Sequence, residues 1–137
     1  MMKRSAGILL PISSLPSPYG IGTMGKAAYD FIDFLVEADQ SWWQILPAGP
    51  TSYGDSPYQS FSTYAGNPYF IDLDMLIEDG LLEADDLKGI KWNNNATYVD
   101  YSRIYNNRFT VLAKAKAKGW ERDAAEIAEF MRENSRW

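Results

Sequence analysis

The order of apolar segments in the first fifty residues leaves few folds open. Gly7-Ile8-Leu9-Leu10-Pro11-Ile12 is continuously apolar, which is the pattern of a strand buried on both faces in a parallel sheet. Ser13–Gly20 is dense in turn residues and reads as a loop. A helix is expected over about Gly25–Asp39, because Ala28, Phe31, Ile32 and Leu35 recur at i, i+3, i+4 and i+7, with Thr23 as its N-cap. Trp43-Gln44-Ile45-Leu46 then reads as a second strand closed by Pro47. Strands joined through a helix pair in parallel, so the loops that follow them leave from one edge of the sheet. In barrel and open α/β enzymes that edge carries the active site.

The loop after the second strand, Ala48–Tyr69, is the least ordinary part of the chain. Ordered loops beyond about 12–15 residues are uncommon and usually functional. Tyr53, Tyr58, Phe61, Tyr64 and Tyr69 supply too many aromatics for a disordered segment. Sugar rings offer apolar C–H faces to aromatic rings, and hydroxyls to short polar side chains. Tyr58 provides a ring and an OH, Ser56, Gln59 and Ser60 provide hydrogen-bonding groups, and Pro57 stiffens the backbone.

Downstream, Asp74–Asp79 reads as a short helix, with Gly80 as its C-cap and with Asp72 and Asp74 as capping residues. Lys91–Thr97 reads as a polar loop around Asn93-Asn94-Asn95. Asp100 caps a helix to Lys118 that Gly119 ends, and a last helix starts near Trp120 with a stripe of Trp120, Ala124, Ile127 and Met131. Lys114, Lys116 and Lys118 read as cations near a helix C-terminus. Asp55 reads as a turn-ordering residue, Asn67-Pro68 as a turn, and Trp42 and Trp43 as core and strand residues.

Composition narrows the partners. The net charge of −5 disfavours nucleic acid and anionic membrane surfaces. With neither Cys nor His, disulfides and Cys/His zinc sites are excluded. The run Ala6–Ile12 is too short and too proline-broken for a secretory signal, so a cytoplasmic protein is the expectation.

The block GPTSYGDSPYQSFSTYAGNPYFIDL, with GILLPISSLPSPYGIG and WQILP before it, resembles the amylomaltases, or disproportionating enzymes, which are 4-alpha-glucanotransferases of the alpha-amylase clan. The likeness runs from about Gly7 to Leu82 and is looser beyond, at Val99-Asp100-Tyr101 and Glu133-Asn134. Ala48, where the family usually has Leu, and Thr23-Met24 depart from its pattern. The resemblance implies an α/β fold, the N-terminal portion of an incomplete (β/α)8 TIM barrel. Residues 1–82 would form the first βαβ unit with its sugar-binding loop, and 83–137 an attached helical segment. A closed barrel of this type needs about 250 residues.

The implied activity is transfer of alpha-1,4-glucan segments to an acceptor glucan or glucose, with retention through a covalent intermediate. Retention needs two carboxyl groups about 5–5.5 Å apart. The family's nucleophile Asp, acid/base Glu and second Asp would lie beyond this chain, so no catalytic residue is expected within it and the chain alone should be inactive. Ser56 and Tyr58 are the implied sugar contacts, with loop packing the alternative for Tyr58. Tyr53 and Tyr105 match positions of a possible secondary glucan site, with packing again the alternative for each. No metal or organic cofactor is implied. The partners would be maltodextrins and the missing remainder of the barrel. A non-catalytic glucan-binding module and an alpha-glucan hydrolase of the same clan are the competing readings.

Overall fold

The computed structural model describes residues 4–93, 95 and 97–136. Two short strands, β1 (Gly7–Leu9) and β2 (Trp42–Gln44), pair in parallel with Ile8 opposite Trp43. Helix α1 (Lys26–Glu37) connects them. Gly7 permits the close pairing, since a Cβ there would meet the Trp42 carbonyl oxygen at 2.5 Å. After β2 come the long loop and a 3-10 turn at Pro68–Phe70. Three helices follow: α2 (Leu73–Glu78), α3 (Tyr101–Arg122) and α4 (Ala124–Glu133). The chain is thus a partial α/β domain.

The strands are shorter than the apolar runs suggested, and they are not buried on both faces. Gly7 and Leu9 are exposed and Ile8 is only half-buried. Within the described residues only one side of this ribbon is covered, by α1. Trp43 lies on that side. Its ring meets Phe31 edge-on at 5.0 Å, and its Nε1 donates to the Leu10 carbonyl at 2.8 Å. Trp42 points away and is 66% exposed, so it is a strand residue but not a core one.

Two apolar clusters meet at Phe70. One gathers Ile12, Leu15 and Ala28 beneath α1. The other gathers Ile21, Tyr69, Leu73, Leu82, Trp92, Ile104 and Val111 between the loops and α3. Burying each large aliphatic chain of this kind contributes roughly 1.5–3 kcal/mol. The sequence places Leu73, Ile104 and Val111 at the contact points of α2 and α3, and all three are fully buried.

Capping turned out partly as expected. Asp72 caps α2 by accepting from the Met75 amide at 3.0 Å, and Asp100 caps α3 by accepting from the Arg103 amide at 3.2 Å. Asp74 is not a cap. It sits in the first turn of α2 and accepts from the Tyr19 hydroxyl. Thr23 is not the cap of α1 either, because Gly25 occupies that position without a side-chain bond. The Thr23 hydroxyl donates instead to Asp72. Gly80, at φ +73, follows the C-cap Asp79 and supplies the left-handed turn that ends α2.

Gly119 does not end α3. It is buried inside the helix with Leu81 against its surface, and the helix runs on through Trp120 to Arg122. The last helix accordingly starts at Ala124, and Lys114, Lys116 and Lys118 lie within α3 rather than at its end. Lys114 and Lys118 pair with Asp86 at 2.8 Å and Glu83 at 3.4 Å, and the Lys116 ammonium lies over the Trp120 ring at 5.5 Å. Asn94 and Ala96 of the expected polar loop lie outside the described residues.

Candidate functional site

The parallel register sends the Leu10–Thr23 and Ile45–Asn67 loops out from the same edge of the sheet. They enclose a small cavity of about 80 Å³ lined by Ser13 of the first loop and by Thr51, Asp55 and Pro57 of the second. The second loop is tied at its base, where the Asn67 amide donates to the Ala48 carbonyl at 2.8 Å. Inside it, Thr51 and Ser60 form an antiparallel bridge, and the Ser52 hydroxyl donates to the Gln59 carbonyl at 2.9 Å. These contacts close a narrow hairpin-like tip.

Gly54 and Asp55 both take positive φ, +89 and +53, in the turn of that tip. Such a conformation is open to glycine and tolerated by Asp, whose short side chain can bond locally. The Thr51 hydroxyl lies 3.5 Å from the Asp55 carboxylate, in keeping with the turn-ordering role expected of Asp55. Asn67 likewise sets the turn at Pro68, its Oδ1 accepting from the Tyr69 amide at 3.0 Å.

Ser56 is half-buried, and its hydroxyl accepts from the Tyr58 amide at 3.4 Å. Tyr58 is 73% exposed, so its ring faces solvent and is not sealed into the loop's packing. Ser56 and Tyr58 are therefore held on one turn.

Tyr53 and Tyr105 are 52 positions apart in sequence but line a single groove of about 1310 Å³, one wall from the loop tip and the other from α3. Tyr69 and Phe109 also line it. Tyr105 meets Phe109 edge-on at 5.9 Å, and Tyr69 lies 5.6 Å from Phe109. Burial, with the negative charge of Asp55 as a further cause, raises the phenol pKa of Tyr69 and of Tyr101. Both therefore stay neutral hydroxyls at ordinary pH. Neither Tyr69 nor Phe109 stood out in the sequence as a groove residue. The available signal was the i, i+4 spacing of Tyr105 and Phe109 on one helix.

Among the described residues, no group of three or more Asp or Glu side chains is placed to hold a metal ion. No described helix is long and apolar enough to cross a membrane.

A parallel β-α-β unit with two long loops sharing one edge, the second of them rich in hydroxyls and aromatics, is a partial α/β domain arranged as α/β proteins arrange the edge that carries their sites. The chain belongs to the 4-alpha-glucanotransferase family, whose sequence profile matches residues 10–137. It is 54% identical to the 4-alpha-glucanotransferase of Streptococcus pneumoniae over 138 residues, covering all of this chain and 27% of that protein. It is 46% identical to the 4-alpha-glucanotransferase of Thermus thermophilus over 142 residues, covering 99% of this chain and 27% of the relative. Its structure is similar to amylomaltase from Streptococcus agalactiae in complex with acarbose, with a TM-score of 0.93 at 45% identity, covering 97% of this chain and 27% of that one. The chain thus spans about a quarter of the length of these relatives.

Proposed function

We propose that this chain is the N-terminal portion of a (β/α)8-barrel 4-alpha-glucanotransferase, and that its two edge loops form part of the cleft that binds an alpha-1,4-glucan. The observation that carries this reading is the exposed Tyr58 ring beside Ser56, on a loop leaving the C-terminal edge of the parallel pair. The acarbose bound to the structurally similar amylomaltase supports it.

In this reading Tyr58 stacks on a glucose ring while Ser56 bonds to a sugar hydroxyl, and Pro57 between them limits the entropy lost on binding. Their contribution is orientation of the glucan. The carboxylates that break and form the glycosidic bond belong to the remainder of the complete protein. Tyr53 and Tyr105, which line one groove with Tyr69 and Phe109, form a second glucan site on the surface.

Incubating the complete protein with maltotriose tests the proposal. Longer maltodextrins together with glucose are expected. Shorter sugars alone would replace transfer with hydrolysis, and binding without turnover would favour a glucan-binding module. Tyr58→Ala is expected to raise KM for maltotriose about two- to tenfold, the effect of losing one aromatic contact of roughly 0.5–1.5 kcal/mol.

A further inference from the structure

We infer that Arg108 of α3 is a positioning residue for the saccharide loop, holding the loop's trailing end so that Ser56 and Tyr58 keep their place above the sheet edge. This rests on the reading that the Ala48–Asn67 loop binds glucan.

Arg108 is fully buried, an unusual setting for a guanidinium. Its Nη2 donates to the Ile71 carbonyl. Its Nε and Nη1 have no hydrogen-bond partner. Burial lowers its pKa to about 10, opposed by the negative charge of Asp72 and, more weakly, by Tyr19. A methionine would fill similar space without leaving buried donors unmet. Arg108 supplies a donor for the Ile71 carbonyl and, as only a cation can, a counter-charge for Asp72.

Ile71 and Asp72 are where the two edge loops are joined. Asp72 takes the Thr23 hydroxyl from the first loop, and the Phe70 carbonyl takes the Met24 amide at 2.9 Å. Four residues before Ile71, Asn67 is bonded to Ala48 at the exit of β2. The stretch 67–71 is therefore a short bracket. One end is bonded to Ala48, shortly past β2, and the other to the first loop and, through Arg108, to α3. Released from Arg108, its far end would be held by the first loop alone, and the base of the loop that carries Ser56 and Tyr58 would be held less firmly with it.

The test uses the complete protein with Arg108→Met and Arg108→Lys, read by steady-state kinetics and by amide hydrogen exchange. Arg108→Met is expected to raise KM for maltotriose about tenfold while kcat changes less than about threefold, the signature of lost ground-state binding. Exchange should quicken across 48–72 and stay unchanged in α1. Arg108→Lys, which keeps the cation, should restore both.

Unchanged kinetics and exchange, or an exchange increase spread evenly over the protein, would overturn the inference. So would a lysine variant no better than the methionine one. Should Arg108→Met not fold, Arg108→Gln is read in the same way. If it leaves both KM and exchange in 48–72 untouched, the inference falls. Absence of transfer in the unmodified protein would sink the proposed function, and the exchange measurement would still decide the role of Arg108.

Discussion

The Thr23 hydroxyl and the Asp72 carboxylate, 49 residues apart in sequence, are hydrogen-bonded, and the same carboxylate caps α2 through Met75. One side chain therefore serves both as a helix cap and as the clasp between the two edge loops. Thr23 is 3% exposed. Thr23→Val keeps its shape but removes the donor from a charged acceptor, which should destabilise the folded protein by about 1–3 kcal/mol. Thr23→Ser should recover most of that loss. Denaturant unfolding of the two variants checks both expectations.

Tyr19 gives the fold an alkaline limit. Burial, then its hydrogen bond to Asp74 and the charges of Asp74 and Asp72, push its phenol up to about 12 from an ordinary 10. An acid with a raised pKa in the folded state stabilises that state fully below pH 10. The contribution is lost as pH climbs towards 12 and the phenolate meets the carboxylates. Tyr19→Phe should therefore be less stable than the parent at neutral pH, and the gap should close between pH 10 and 12. Thermal unfolding of both proteins across that range measures it.

Gly119 offers a stabilising substitution. A Cβ at this position would lie 3.4 Å from Leu81 and 3.6 Å from Asp123, which is ordinary contact. Glycine in a helix interior is less favourable than alanine by roughly 0.5–1 kcal/mol. Gly119→Ala should raise stability by about that amount, read as a higher denaturation midpoint.

The groove between Tyr53 and Tyr105 yields a prediction on binding alone. Both rings are widely exposed, 99% and 65%, so neither contributes much to the core. Replacing either with Ala should shift stability by less than about 0.5 kcal/mol. It should weaken binding of a long maltodextrin to the complete protein several-fold while leaving turnover of maltotriose unchanged. Calorimetric titration beside the transfer assay separates the two effects.

The parallel pairing and α1 were legible because their signals are local: an unbroken apolar run, a stripe at helical spacing, and a crossover of the right length. The Asp72 and Asp100 caps were legible for the same reason. Thr23 was misread because an N-cap signal specifies only a nearby acceptor for helix amides, and here a distant carboxylate competes for the hydroxyl. Gly119 was misread because a glycine inside a helix looks like a stop signal until the Leu81 contact is seen. Trp42 was assigned to the core from its type, whereas its position on the ribbon turns it away from α1. Tyr53 and Tyr105 could be paired only through family resemblance, since no local pattern joins positions so far apart. Arg108 shares the buried stripe of α3 with Ile104, Val111 and Ala115, a helical spacing that was legible, but the partner its guanidinium finds there was not, because Ile71 is brought to it only by the fold.

The bond between Asn67 and Ala48 has an evolutionary corollary. With its two ends pinned together, the intervening stretch behaves as an exchangeable cassette. Residues in it can be altered, inserted or deleted to change what is gripped, while the strand before it and the helix after it keep their seats.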